Sequence, residues 1–325
     1  MLRPSVTLLP VLALAIAGCA PSAAPRPADD PTACAPGRGS APTSYPGWPG
    51  SVGQTAPQEI VPVMVSPELA VGPSRFLFTL IDDQNRLVAS RDVTVELSFF
   101  DLATDPATPA VTVDAAYLET EDGRGLYRAS VDFRCSGEWG AEVTARIPNR
   151  EDRTARVLFP VAVDTTTPSI GEPVPSIETS TADTPSGIAA ISTDTDPDPD
   201  FYRVSEADAL AKGDPFVLVF ATPAFCQTAA CGPTLDTVKN AATGFKDALT
   251  FIHVEPYILE LRDGQLQPVL DQSGGLQTVE AVETWALPAE PFIFVVGGDG
   301  RLAAKFAGLV SEDELREAFQ SVAGG

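Results

Sequence analysis

The chain is poor in positive charge and in histidine, and after its first 20 residues it has no long apolar run. Lys and Arg number 21 against 44 Asp and Glu, with a formal charge of −23 and a pI of about 4.2. Phosphate backbones are bound by concentrated Lys and Arg, so nucleic acid is excluded as a partner class. The single histidine, His253, cannot build a His-based metal centre, and no cofactor is called for. No segment beyond the N-terminus could span a bilayer, which needs about 20 apolar residues. At 325 residues, there is still enough chain for two modest domains.

Proline is abundant, at 31 residues, and clusters in two stretches that read as linkers. The first follows a leader-like start. Met1–Arg3 is a short basic region, and Val6–Ala17 is an apolar run too short for a span but right for a signal-peptide core. It ends in Ile16-Ala17-Gly18-Cys19, which resembles the lipobox read by lipoprotein signal peptidase. That resemblance implies a signal peptide over 1–18, diacylglycerol on the Cys19 thiol, and a lipid-anchored chain at the extracytoplasmic face of a cell-envelope membrane. Acyl chains then attach it to the lipid bilayer. Residues 19–56, rich in Pro, Ala, Ser and Gly, read as a flexible tether.

Four cysteines remain beyond Cys19, and in an oxidising compartment they allow two disulfides in three connectivities. Proximity favours Cys226–Cys231, which leaves Cys34 with Cys135; a free Cys34 thiol is the alternative.

Residues 57–163 read as seven short strands: Glu59–Val65, Arg75–Ile81, Val93–Phe99, Val111–Leu118, Gly125–Phe133, Trp139–Ile147 and Thr154–Val163. Several alternate apolar and polar residues, and turn signals such as Asp122-Gly123 separate them. That count in about 105 residues predicts an all-β immunoglobulin-like sandwich. Residues 164–200 follow as a Pro/Asp/Thr-rich linker. Its alternating Asp, from Asp194 to Asp200, lacks the central Gly and distal Glu of a calcium loop and predicts an extended, solvated spacer.

From residue 201 the pattern turns to α/β. Val204–Lys212 has helical spacing, and Phe216–Ala221, Leu249–Val254 and Pro291–Val296 read as buried strands. Cys231–Lys246 reads as a helix. Gly297-Gly298-Asp299-Gly300 is a turn into Arg301–Phe306, and Ser311 with Glu314 forms a capping box for a last helix, Glu312–Val322.

These elements, with Phe-Ala-Thr-Pro-Ala-Phe-Cys over 220–226, Cys231-Gly232-Pro233 and Trp285-Ala286-Leu287-Pro288-Ala289-Glu290-Pro291, resemble the thioredoxin superfamily over roughly Tyr202–Val322. The nearest likeness is to bacterial thioredoxin-domain lipoproteins. The whole chain is thus expected to be multidomain, an N-terminal immunoglobulin-like sandwich followed by a thioredoxin-like domain over 201–325. The resemblance implies thiol–disulfide exchange with extracytoplasmic protein substrates or a redox partner through Cys226 and Cys231, with Pro291 as the family's cis-proline.

The sequence also departs from that family. Four residues separate the cysteines where the family has two. Alignment on Cys231-Gly232-Pro233 makes Cys231 the nucleophile; alignment on Phe225-Cys226 makes it Cys226. Cys231 is preferred because it opens the helix. The family's buried acid falls near Phe220, and Glu255 is a possible substitute if it is not a surface carboxylate. Glu290 precedes the proline where a neutral residue is usual, and a carboxylate there opposes thiolate formation. Trp285 and Phe225 flank the pair as a possible docking surface, and the stretch from Pro256 to Glu283 is an insertion that could shape partner choice.

Three alternatives stay open. One is a non-catalytic binding or assembly lipoprotein with a structural Cys226–Cys231 bridge. Another is copper binding akin to the Sco family, although His253 lies inside a strand. The last is a peroxiredoxin-like role suggested by Thr222-Pro223. For the anchor, chain made in a bacterial host should sediment with membranes and need detergent for release. Protein that stays soluble without detergent contradicts lipidation of Cys19.

Overall fold

The computed structural model describes residues 34, 44–49, 59–119, 125–227 and 229–324. The leader, Cys19 and most of the 19–56 tether lie outside the described residues. Among the described residues no helix is long and apolar enough to cross a membrane.

The first half is all β. Strands β1 (Ile60–Met64), β2 (Gly72–Asp82), β3 (Thr94–Asp101), β4 (Val111–Glu119), β5 (Gly125–Phe133), β6 (Gly137–Arg146) and β7 (Arg153–Val161) pair antiparallel in the order β1-β2-β5-β4-β3-β6-β7. The β4 strand changes partner midway: Val111–Ala115 pairs with β3 and Ala116–Glu119 with β5. The sheet therefore folds over at β4 into two facing layers. At the far end Ala70 bridges Ala162 and closes the sandwich. Alternate side chains point inward, as the period-2 pattern requires. Phe76, Phe99, Phe133, Trp139 and Phe159 fill the core with edge-on and tilted ring contacts, such as Phe133–Trp139 at 5.0 Å.

Parts of the expected tether pack on this sandwich. Cys34 is disulfide-bonded to Cys135, and its N–H donates to the Ser136 carbonyl at 2.8 Å. Trp48 is fully buried against Phe100, under the Arg156 guanidinium. Its ring lies so close to Gly140 that a Cβ there would come within 2.2 Å of it. A solvated tether is therefore the wrong description for these residues. One bridge and one large apolar side chain hold them down.

The second half is a mixed sheet between helices. Its elements are α1 (Pro185–Ile188), a 3₁₀ turn at Pro199–Tyr202, α2 (Glu206–Lys212), β8 (Phe216–Phe220), α3 (Cys231–Ala242), β9 (Thr250–Val254), β10 (Leu259–Arg262), β11 (Gln265–Pro268), α4 (Glu280–Thr284), β12 (Phe292–Val296), β13 (Leu302–Ala307) and α5 (Glu312–Ala323). The sheet order is β13-β12-β8-β9, with β8 parallel to β9 and the other pairs antiparallel. Alternate residues of β8 and β12 feed two cores. Val217, Val219, Ile293 and Val295 face α3 and α5, while Phe216, Leu218, Phe220 and Phe294 face α2 and α4. The α3 helix ends at Ala242, not Lys246, because Gly244 takes φ +92° and breaks it. The Ser311–Glu314 capping box is present.

Residues 164–200 do not stand off as a solvated spacer; they wrap the second half. Residues 171–174 hydrogen-bond along β13. Ile188 enters the α3–α5 core. Each lysine near this run draws in its aspartates: Lys239 holds Asp194 at 2.9 Å, and Lys246 holds Asp198 and Asp200. Charge repulsion along the run is relieved by these pairs. The two halves also meet. Arg75 of β2 donates to both carboxylate oxygens of Glu314 and to the Leu309 carbonyl at 2.6 Å, while Lys305 holds Glu68 at 3.2 Å. Arg75 holds the Glu314 carboxyl below the usual carboxylate range, against the effect of burial.

The wrap has a buried acid at one anchor. Glu206, first residue of α2, accepts the Ile177 N–H at 2.6 Å and is fully buried. Burial pushes its carboxyl up from 4.5 to about 7. The folded chain keeps a proton that the unfolded chain releases between those values. This group's contribution to stability therefore falls as pH rises from about 4.5 to 7. In urea denaturation, Glu206→Gln should remove that slope and add on the order of 1–3 kcal/mol at pH 8. A variant with the parent's slope and stability contradicts the assignment.

Candidate functional site

The second sheet delivers two cysteines to one point. After β8 the chain turns through Thr222–Phe225 to Cys226, and Cys231 opens α3. The two are disulfide-bonded, with Cα atoms 5.9 Å apart. Their environments differ sharply. Cys231 is fully buried in the α3–α5 core, whereas Cys226 is half-buried at the surface. The residue before the helix, Ala230, offers no side-chain cap. The Cys231 N–H instead donates to Cys226 Sγ at 3.2 Å. A helix N-terminus carries partial positive charge, and here it is aimed at the Cys226 sulfur. Thiolate stabilisation and access to an incoming thiol both weigh toward Cys226, against the sequence-based preference for Cys231. Opening the helix did not decide the matter, because the sulfur that accepts the first N–H belongs to the preceding loop.

Glu290 and Pro291 join the pair from the start of β12, with their peptide bond cis. A Glu290 carboxylate oxygen and the two sulfurs all lie within 4.8 Å of one another. The Gln227 N–H reaches the same carboxylate at 3.5 Å. Tyr257, buried beyond the end of β9, sits beside Glu290; burial first, then the Glu290 charge, pushes its hydroxyl up to about 12. Nothing in the sequence singled out Tyr257, since it lies outside every motif.

Glu255 is neither a surface carboxylate nor in contact with a sulfur. It is buried, and its Oε1 accepts the Thr193 N–H at 2.6 Å and the Thr193 hydroxyl at 2.5 Å. The Thr193 hydroxyl in turn accepts the Ala224 N–H at 3.2 Å, two residues before Cys226. Glu255 therefore positions the cysteine loop through Thr193. The other oxygen, Oε2, has no hydrogen-bond partner among the described residues. Thr193 itself was illegible in sequence because it sits inside the low-complexity stretch.

The remaining candidates fall elsewhere. Phe220 is fully buried against Trp285 and Phe294, so no acid lies beneath the pair at that position. Trp285 belongs to this core and cannot dock a substrate; Phe225 is half-buried beside Cys226. His253 is packed: Tyr202 donates to its Nδ1 at 2.8 Å, its Nε2–H donates to the Ala221 carbonyl at 2.9 Å, and burial lowers its pKa. Cys34, Cys135 and Asp101 form a second close group, fully buried in the sandwich, where Asp101 already pairs with Arg134. The 256–283 insertion forms the β10–β11 hairpin, with Leu261 exposed at 69%. A cleft of about 970 Å³ opens between the two halves beside Arg75 and Lys305, and neither cysteine lines it.

No family model matches the chain, and no curated protein matches it. Among solved structures, the soluble domain of PmoD from Methylocystis sp. ATCC 49242 (Rockwell) is 16% identical; the match covers 33% of this chain and 94% of that one, with a TM-score of 0.22. The Lin-41 filamin domain is 14% identical over 33% of this chain and 95% of its own, with a TM-score of 0.21. MtrC from Shewanella baltica OS185 is 12% identical over 37% of this chain and 24% of its own, at 0.23. Likenesses this low carry no argument about what the chain does.

The charge beside the sulfurs has a direct consequence. In the reduced chain, Glu290→Gln should lower the Cys226 thiol pKa by about one unit, read from the pH dependence of alkylation. An unchanged profile means that the carboxylate turns away when the disulfide opens.

Proposed function

We propose that the chain is a membrane-anchored extracytoplasmic thioredoxin-like protein that exchanges disulfides with protein substrates through Cys226 and Cys231. The observation that carries this is the asymmetry of the pair: an accessible sulfur accepts the first N–H of α3, and its partner is sealed beneath it. Such a pair can be attacked at Cys226, and Cys231 can then resolve the mixed disulfide. Support for a thioredoxin-like domain over 201–325 comes from the β13-β12-β8-β9 order, with the parallel pair leading into α3. For an immunoglobulin-like module over 57–163, support comes from the strand order and the switch of β4 between layers. Lipid attachment at Cys19 and residence in the cell envelope rest on the lipobox alone.

One observation favours a second reading, a binding or assembly protein with a static Cys226–Cys231 bridge. Glu290 sits beside the sulfurs, and no acid lies beneath them. Insulin reduction separates the two. Reduced chain should accelerate insulin precipitation over reductant alone; Cys226→Ser should abolish this, and Cys231→Ser should leave trapped mixed disulfides. Wild-type chain no faster than reductant alone supports the static bridge.

A further inference from the structure

We infer that the reduced pair forms, with Glu290, a zinc site that keeps one coordination position open. This rests on the part of the functional reading that makes the bridge reducible, and not on exchange with a protein substrate. Both sulfurs and a Glu290 oxygen lie within 4.8 Å of one another. Tetrahedral zinc, with Zn–S near 2.3 Å and Zn–O near 2.1 Å, sets the sulfurs about 3.8 Å apart and each about 3.6 Å from the oxygen. In the oxidised pair the sulfurs are bonded to each other, so on reduction they must part to about 3.8 Å, with the Glu290 oxygen already beside both. The four-residue spacing, wide for a redox pair of this kind, lies inside the two-to-four range of paired zinc cysteines.

Outer contacts that orient such ligands are also in place. The Cys231 N–H donates to Cys226 Sγ, and Tyr257 flanks the Glu290 carboxylate. Charge points the same way. Two thiolates and a carboxylate put three negative charges together in a chain that already carries −23. A divalent cation offsets them. Calcium and magnesium need oxygen shells, and Cu(I) is satisfied by thiolates without a carboxylate. Two sulfurs and one oxygen with an open position suit zinc.

The chemistry balances. A dithiol gives two electrons and two protons to the bridge and becomes a disulfide. Zinc then displaces both thiol protons to solvent, forming two Zn–S bonds and one Zn–O bond, with water in the fourth position and no change in its oxidation state. A disulfide substrate that accepts two electrons and two protons re-forms the bridge, becomes a dithiol and expels the metal.

The test uses full-length chain reduced with a phosphine under anaerobic conditions and titrated with zinc against a chromophoric chelator. The reduced chain should bind one zinc and the oxidised chain none. Cys226→Ser or Cys231→Ser should abolish binding, which also excludes Cys34 and Cys135 as the source. Glu290→Gln should weaken it at least tenfold with the thiol count unchanged. The inference is overturned by absence of stoichiometric zinc, by Glu290→Gln binding as tightly as the parent, or by a bridge that the phosphine cannot reduce. Insulin reduction run alongside with chelator separates the two claims. Exchange without zinc binding removes this inference alone, and zinc binding without exchange removes only the proposed catalysis.

Discussion

The hydrogen bond from the Cys231 backbone to the Cys226 sulfur is the contact that sets the two cysteines apart, and the proposed chemistry depends on it. It exists because α3 starts at a cysteine, with no capping side chain before it, and because a neighbouring loop brings a second sulfur to the open N–H. The two residues gain opposite properties from one contact. One sulfur becomes the accessible end of a helix dipole, and the other is buried in the core behind it.

The rest of the second half holds that loop in place. Buried β8 and β9 fix where the loop begins. Glu255 and Thr193 tie its Ala224 N–H to the wrapping segment. That segment is fastened in turn by Lys239 and Lys246 through its aspartates, and by Glu206 at α2. Glu314 does two things, closing the α5 capping box and accepting Arg75 from the sandwich. The Lys246 pairs are partly exposed and contribute little individually, whereas Lys239–Asp194 is largely buried. The Arg75–Glu314 contact is largely buried and carries several hydrogen bonds, and removing one partner of such a pair costs far more.

Much of this was legible in the sequence, for identifiable reasons. All seven sandwich strands and every strand of the second sheet were readable because apolar periodicity and buried runs mark them directly. The Ser311–Glu314 box was readable because its spacing is local. Partnership across distance was not. Trp48 in a Pro-rich stretch, Thr193 and the aspartate run in another, and Tyr257 in the insertion all gain their roles from residues far along the chain. Low complexity suggested solvated linkers, yet a few anchors sufficed to fold them down. Likewise the direction of the Cys231 N–H, toward the Cys226 sulfur, could not be read from the position of Cys231 at the start of its helix.

Two forces oppose each other at the pair. The helix N-terminus favours a Cys226 thiolate, and Glu290 disfavours it. On the proposed function this site is built to be opened, not to lock the fold. The reduction potential of Cys226–Cys231, measured against a glutathione or dithiothreitol redox series, tests that claim most directly. A value above about −300 mV is predicted, in the range of exchanging dithiols. A value below about −300 mV would mark a structural bridge and contradict the account.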